Sequence, residues 1–140
     1  MSGHETLIHR EGAPWVRDPL LAEILPADLL RQVSERLRRA AETSDFEGRR
    51  RTYALLQRNV RKLNASGVRI GLGADSGIPD QFLGFAEHRE LEAMVSAGMT
   101  PLEVIQAATS TSARILGLDD LGSLAPGKRA DFKEGSHLEG

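Results

Sequence analysis

Few residues of this chain could do acid–base or metal chemistry. It has no cysteine, so disulfides and thiolate ligands are excluded and any metal would need His, Asp or Glu. Histidines stand at 4, 9, 88 and 137, and no two lie two residues apart. His4 and His9 fall in a polar N-terminal stretch without a period and read as tail residues. Asp75 is placed differently. It follows Val68-Arg69-Ile70-Gly71-Leu72-Gly73-Ala74, a short apolar and β-branched run bounded by glycines. That pattern reads as a buried strand ending in an exposed carboxylate. From spacing alone Asp75 reads equally as a loop-start aspartate that caps a turn. Arg49, Arg50, Arg51, Arg58, Arg61 and Lys62 resemble a nucleic-acid patch at first glance. A net charge of -2 offsets them, and a solvated helix face is the simpler reading.

The elements that must position these residues are mostly helical. Residues 1–17 hold Gly12 and Pro14 and read as irregular. Asp18 can cap a short helix with Pro19 at its first position. Pro26 ends that turn or opens a second helix, with Leu29, Leu30, Val33 and Leu37 on one face. Ser44-Asp45-Phe46-Glu47 has the form of a capping box, and the helix it opens runs to about Ser66, with Tyr53, Leu56, Val60 and Leu63 inward and Gly67 as its stop. After the 68–74 strand, residues 76–86 read as a loop. A helix over 87–97 turns Leu91, Met94 and Val95 inward. Thr100-Pro101-Leu102-Glu103 is a second capping box, opening a helix whose stripe is Leu102, Ile105 and Ala108. Thr109-Ser110-Thr111-Ser112 should break it, because such side chains compete for backbone hydrogen bonds. A last short helix ends at Gly117, and a turn-rich stretch and a polar tail follow.

Composition narrows the classes. A length of 140 residues fits one modest domain, and an aromatic share of 4% implies an aliphatic core. The charge gives no reason to expect nucleic acid or a membrane as partner. The N-terminus lacks the apolar core of a signal peptide, and no stretch reaches the roughly 20 apolar residues of a membrane span. A cytoplasmic location is the default. One strand among several helices cannot satisfy its own N–H and C=O groups. It asks for a sheet supplied from elsewhere, and the isolated chain should be marginally stable or prone to associate.

GVRIGLGADSG, then HRELEAMVSAGMTPLEVIQAATSTSARILGL, then DDLGSLAPGKRADF together resemble the C-terminal end of amidohydrolase-superfamily enzymes, in the imidazolonepropionase- and prolidase-like branches. The resemblance implies an α/β fold, a (β/α)8 barrel. Residues 18–117 would form its C-terminal part, 68–74 its eighth strand, 118–132 a lead-in to a small β-sandwich, and 133–140 a disordered tail. It also implies hydrolysis of an amide, cyclic amide or dipeptide C–N bond in a small molecule, with a divalent metal, usually zinc. Asp75 would be both a metal ligand and the acceptor of the attacking water's proton, at the barrel face where catalytic groups gather. Ser76 and His88 become candidates for substrate contact, against bland readings as a backbone-shaping residue and a surface residue at a helix start.

The sequence also departs from that family. The His-x-His pair of the first strand, the bridging lysine or glutamate and two later histidines have no counterparts here. A complete barrel takes about 250 residues. After Ala130-Asp131-Phe132 the family's apolar strand gives way to Lys133-Glu134-Gly135. Truncation at both ends is the expectation, with no tight metal binding and no catalysis by this chain alone. Two other possibilities stay open. The chain could be a non-catalytic helical interaction module. Or it could be one half of a split enzyme, partnered by the missing barrel half or a second copy.

Overall fold

The computed structural model describes residues 1–9, 13–43, 45–78 and 80–129. The described residues are helical and contain no β-strand. No helix among them is long and apolar enough to cross a membrane.

The described residues among the first 17 carry more order than their composition suggests. Helix α1 spans Ser2–Thr6, and Pro14–Arg17 form a 3₁₀ turn. α1 is tied to a helix more than eighty residues away. The Met1 ammonium donates to both Glu90 carboxylate oxygens at 2.6 and 2.7 Å, the Ser2 N–H donates to the same group at 2.7 Å, and Arg89 pairs with Glu5. Helix α2 spans Pro19–Ile24, with the Asp18 carboxylate accepting the Leu20 N–H at 2.9 Å, as the proline-and-aspartate signal predicts. Helix α3 spans Ala27–Thr43. Val33 and Leu37 bury against the fully enclosed Leu21 and against Trp15. The expectation of a purely aliphatic core fails here. Trp15 sits at the centre, edge-on to Phe82 with ring centroids 6.3 Å apart, its indole N–H donating to Thr6 Oγ1 at 3.0 Å. Trp15, Phe82 and Phe85 pack at one place, and the Thr6 hydroxyl supplies the acceptor that a buried indole N–H needs.

Helix α4 spans Phe46–Ala65. Its cap is Asp45, whose carboxylate accepts the Gly48 N–H at 2.9 Å; Ser44 lies outside the described residues. Tyr53 is buried, Leu56 and Val60 are half-buried, and Leu63 is exposed. Helix α5 spans Phe85–Ser96, beginning two residues before the expected Glu87. It buries Ala86, Glu90, Ala93 and Met94, while Val95 faces outward.

Helix α6 spans Pro101–Gln106, and its capping box forms as expected. The Glu103 N–H reaches Thr100 Oγ1 at 3.3 Å, and the Thr100 N–H reaches Glu103 at 2.7 Å. Its inward face is corrected. Leu102 and Ile105 are 64% and 57% exposed, and Val104 and Ala107 are buried with Met94 and Met99. Apolar residues occupy two faces of this helix, so periodicity could not choose between them. Nor does the Thr109–Ser112 run break the helix. Ala107–Thr111 forms a π turn leading into α7, Ser112–Ile115. The hydroxyls of Thr109 and Ser112 donate back to the Ile105 and Ala107 carbonyls, each at 2.7 Å. The polar side chains thus widen the helix by a residue instead of ending it. Gly122, at φ 78°, lies where a Cβ would stand 2.8 Å from Ser110 Cα and the Thr109 carbonyl, so only glycine fits beneath the π turn.

Residues 118–129 form turns, drawn together by an Arg129–Asp120 ion pair at 3.1 Å. The end of the proposed sandwich lead-in, residues 130–132, and the tail 133–140 lie outside the described residues.

Candidate functional site

The segment that carries Asp75 begins at the end of α4. Gly67 adopts φ 72°, and the Val68 N–H returns to the Leu63 carbonyl at 3.1 Å, which closes the helix and redirects the chain. Residues 68–74 then run without a partner strand, so the barrel strand expected there is not formed among the described residues. The apolar pattern survives the loss of the ladder: Ile70 and Leu72 pack on Met94, Met99, Val104 and Ala107. The Leu72 N–H donates to Ser112 Oγ at 3.1 Å. Gly71 is pressed against the same residue, since a Cβ there would stand 3.0 Å from Ser112 Oγ. A strand is defined by its neighbours, and here a serine hydroxyl stands in for one of them.

Asp75 ends this segment at φ 52°, the left-handed region that aspartate tolerates better than most side chains. Its side chain is exposed. The loop behind it is well tied. The Gly77 N–H reaches the Gln81 carbonyl at 2.8 Å, and the Gln81 N–H reaches the Ile78 carbonyl at 3.0 Å. Ser76 Oγ donates to Glu87, whose other oxygen accepts the Gly84 N–H at 2.7 Å. The Ser76 hydrogen bond, helped by that backbone bond, holds the Glu87 carboxyl below its ordinary pKa. Glu87 is thus the organiser of the loop, a role not assigned to it from sequence. The available signal was its position three residues after Gly84, the N3 place of a capping box, of which glycine supplies only the backbone half.

The three candidate residues are not gathered into one site. Ser76 adjoins Asp75, but its hydroxyl is taken by Glu87. His88 is exposed and lines a separate depression of about 320 Å³ with Trp15, Asp18, Phe85 and Arg89. Asp75 instead faces a cleft of about 280 Å³ shared with Ser2, His4 and Gln81. Only the fold could bring α1 to that place. Among the described residues no three His, Asp or Glu side chains converge. A catalytic zinc needs about three protein ligands and an open position, so these residues by themselves do not fit a resident metal.

Residues 55–133 match the model of the Amidohydrolase family. The chain belongs to that family. Among curated proteins, this amidohydrolase segment is similar to an imidazolonepropionase of Deinococcus deserti, at 40% identity over 73 residues, covering 51% of the chain and 18% of the relative. It is similar to a 5-methylthioadenosine/S-adenosylhomocysteine deaminase of Desulfitobacterium hafniense, at 41% over 79 residues, covering 52% and 18%. An adenine deaminase of Cereibacter sphaeroides matches at 42% over 62 residues, covering 41% and 11%. The chain therefore spans less than a fifth of the length of these relatives. No solved structure matches it significantly.

Proposed function

We propose that this amidohydrolase chain is the C-terminal part of a (β/α)8 enzyme that hydrolyses a C–N bond in a small molecule. The observation that carries the reading is the state of residues 68–74. Among the described residues, the hydrogen bonds of their N–H groups are those of Val68 to Leu63 and Leu72 to Ser112. An apolar extended segment with open hydrogen-bonding edges is suited to strands on its flanks. Residues 68–74 would then be the eighth strand and Asp75 would stand at its C-terminal end, among the groups that act on substrate. Residues 118–132 would lead into an accompanying β-sandwich.

Asp75 would take the proton of the attacking water and pass it to the leaving nitrogen. A divalent metal, zinc by family resemblance, would depend on ligands outside this sequence, with Asp75 adding one carboxylate. Ser76 and His88 stay in this reading as residues close to substrate, Ser76 through its loop and His88 from the first turn of α5.

A chimera tests the reading. This chain's matching segment replaces the 73-residue stretch it resembles in the Deinococcus imidazolonepropionase. Turnover is expected to survive, and Asp75→Asn in the chimera should lower kcat by about a hundredfold or more, the scale of a lost acid–base group. Equal turnover by the aspartate and asparagine forms would remove Asp75 from the mechanism. One observation favours a second reading, a non-catalytic helical module: the Asp75 side chain is exposed, and among the described residues no metal-sized cluster surrounds it. That reading expects a folded but inactive chimera and a stable monomeric chain.

A further inference from the structure

The loop that follows Asp75 holds a costly backbone. Asp75 and Asp80 have positive φ, at 52° and 76°, and Gly77 and Gly84 stand at 91° and 81°. A non-glycine residue in the left-handed region is uncommon, and it persists where its surroundings over-determine it. Arg36 of α3 pairs with Asp80, and the Gly77 N–H donates to the Gln81 carbonyl at 2.8 Å. Glu87 reaches both ends of the loop. One of its carboxylate oxygens accepts from Ser76 Oγ, and the other accepts the Gly84 N–H at 2.7 Å. Ser76 is the neighbour of Asp75, so this tie acts on the backbone directly behind the candidate carboxylate. Its anchor is firm, because Glu87 lies between the buried Ala86 and Glu90 in the first turns of α5.

We infer that Glu87 is a positioning residue for Asp75: by clamping Ser76 and Gly84 it fixes the turn that sets the direction of the Asp75 side chain. The inference rests on the hydrolase reading and deepens it. A general base works only where its carboxylate meets the attacking water at hydrogen-bond distance, and a misplacement of about 1 Å can cost about a hundredfold in rate. The Ser76 hydroxyl, committed to Glu87, serves the same clamp.

A double-mutant cycle in the chimera tests this. Glu87→Ala should lower kcat by about tenfold with little change in KM, the pattern of a displaced acid–base group. In the Asp75→Asn background the same substitution should lower kcat no further, because Glu87 acts through Asp75. Asp75→Asn itself keeps a side chain that tolerates the left-handed backbone. Ser76→Ala should reproduce Glu87→Ala, and the two together should cost no more than either. Glu87→Gln keeps one acceptor oxygen and should recover part of the loss. In the 140-residue chain, Glu87→Ala should speed amide exchange at Gly77, whose own partner is Gln81, and spare Tyr53 in α4. An equal loss of kcat with and without Asp75→Asn would make Glu87 a purely structural residue and overturn the inference. So would an unchanged kcat, or unchanged exchange at Gly77. Asp75→Asn tells the two failures apart. If it leaves turnover intact, the hydrolase mechanism falls and takes the positioning role with it. If it collapses turnover while Glu87→Ala is silent, only the inference about Glu87 falls.

Discussion

The Ser112 hydroxyl holds the Leu72 N–H at 3.1 Å while donating to the Ala107 carbonyl at 2.7 Å. One side chain thus joins the segment that leads to Asp75 to the π turn of the C-terminal helix. Removing it leaves the half-buried Leu72 N–H without its partner. Ser112→Ala should destabilise the chain by about 1–2 kcal/mol and raise hydrogen exchange at Leu72 and its neighbours more than at Tyr53. Unchanged exchange over 70–74 would show that the apolar packing alone holds the segment.

Glu90 is 6% exposed and receives the Met1 ammonium and the Ser2 N–H. Losing its charge strands a buried ammonium. Glu90→Gln is expected to cost about 3 kcal/mol by urea unfolding. Glu92, whose side chain is 73% exposed, serves as the control, and Glu92→Gln should stay within about 0.5 kcal/mol. Equal effects of the two substitutions would mean that α1 contributes little to stability.

Acid should loosen both capped loops. Hydrogen bonds lower the pKa of two carboxyls: that from Ser76 chiefly for Glu87, and those from the Thr100 backbone and side chain for Glu103. A folded-state pKa below the unfolded value gives stability that is fully present above the unfolded pKa, about 4.3. That stability is lost as the pH falls through the lower, folded value. The Glu87→Gln, Glu103→Gln double variant keeps side-chain acceptors and loses the titration. Its thermal midpoint should fall less steeply than that of the parent below about pH 4.3. Parallel midpoint curves for the two proteins would contradict this.

Zinc supplies the fourth check. With no three ligand-type side chains converging among the described residues, titration calorimetry of this chain should detect no stoichiometric binding of zinc at sub-micromolar affinity. A tight one-to-one isotherm that vanishes in Asp75→Asn would show a site beyond the one carboxylate expected.

Local chemistry made much of the helical framework readable from sequence alone. Asp18 with Pro19 and Thr100 with Glu103 satisfy backbone groups within their own turns, and Gly67 and Gly117 adopt the left-handed backbone that ends a helix. Such signals are complete within a few residues, so the sequence carries them whole. The succession of motifs from GVRIGLGADSG onward likewise pointed to the amidohydrolase family, because the match depends on order and spacing and not on contacts.

What lay between distant residues was decided by the tertiary structure. Val104 and Ala107 face inward where Leu102 and Ile105 were expected, because a helix apolar on two sides takes whichever face its neighbours offer. The 68–74 run has strand composition but no ladder, since a strand needs partner strands that the described residues do not provide. The site followed the same rule. The sequence offered Asp75, Ser76 and His88 as one group; folding gave Ser76 to Glu87, placed His88 in another depression, and set Ser2, His4 and Gln81 around the cleft beside Asp75. Those contacts join α1 to residues some seventy positions or more along the chain, and their register is fixed by the Met1–Glu90 and Glu5–Arg89 pairs, which no local pattern encodes.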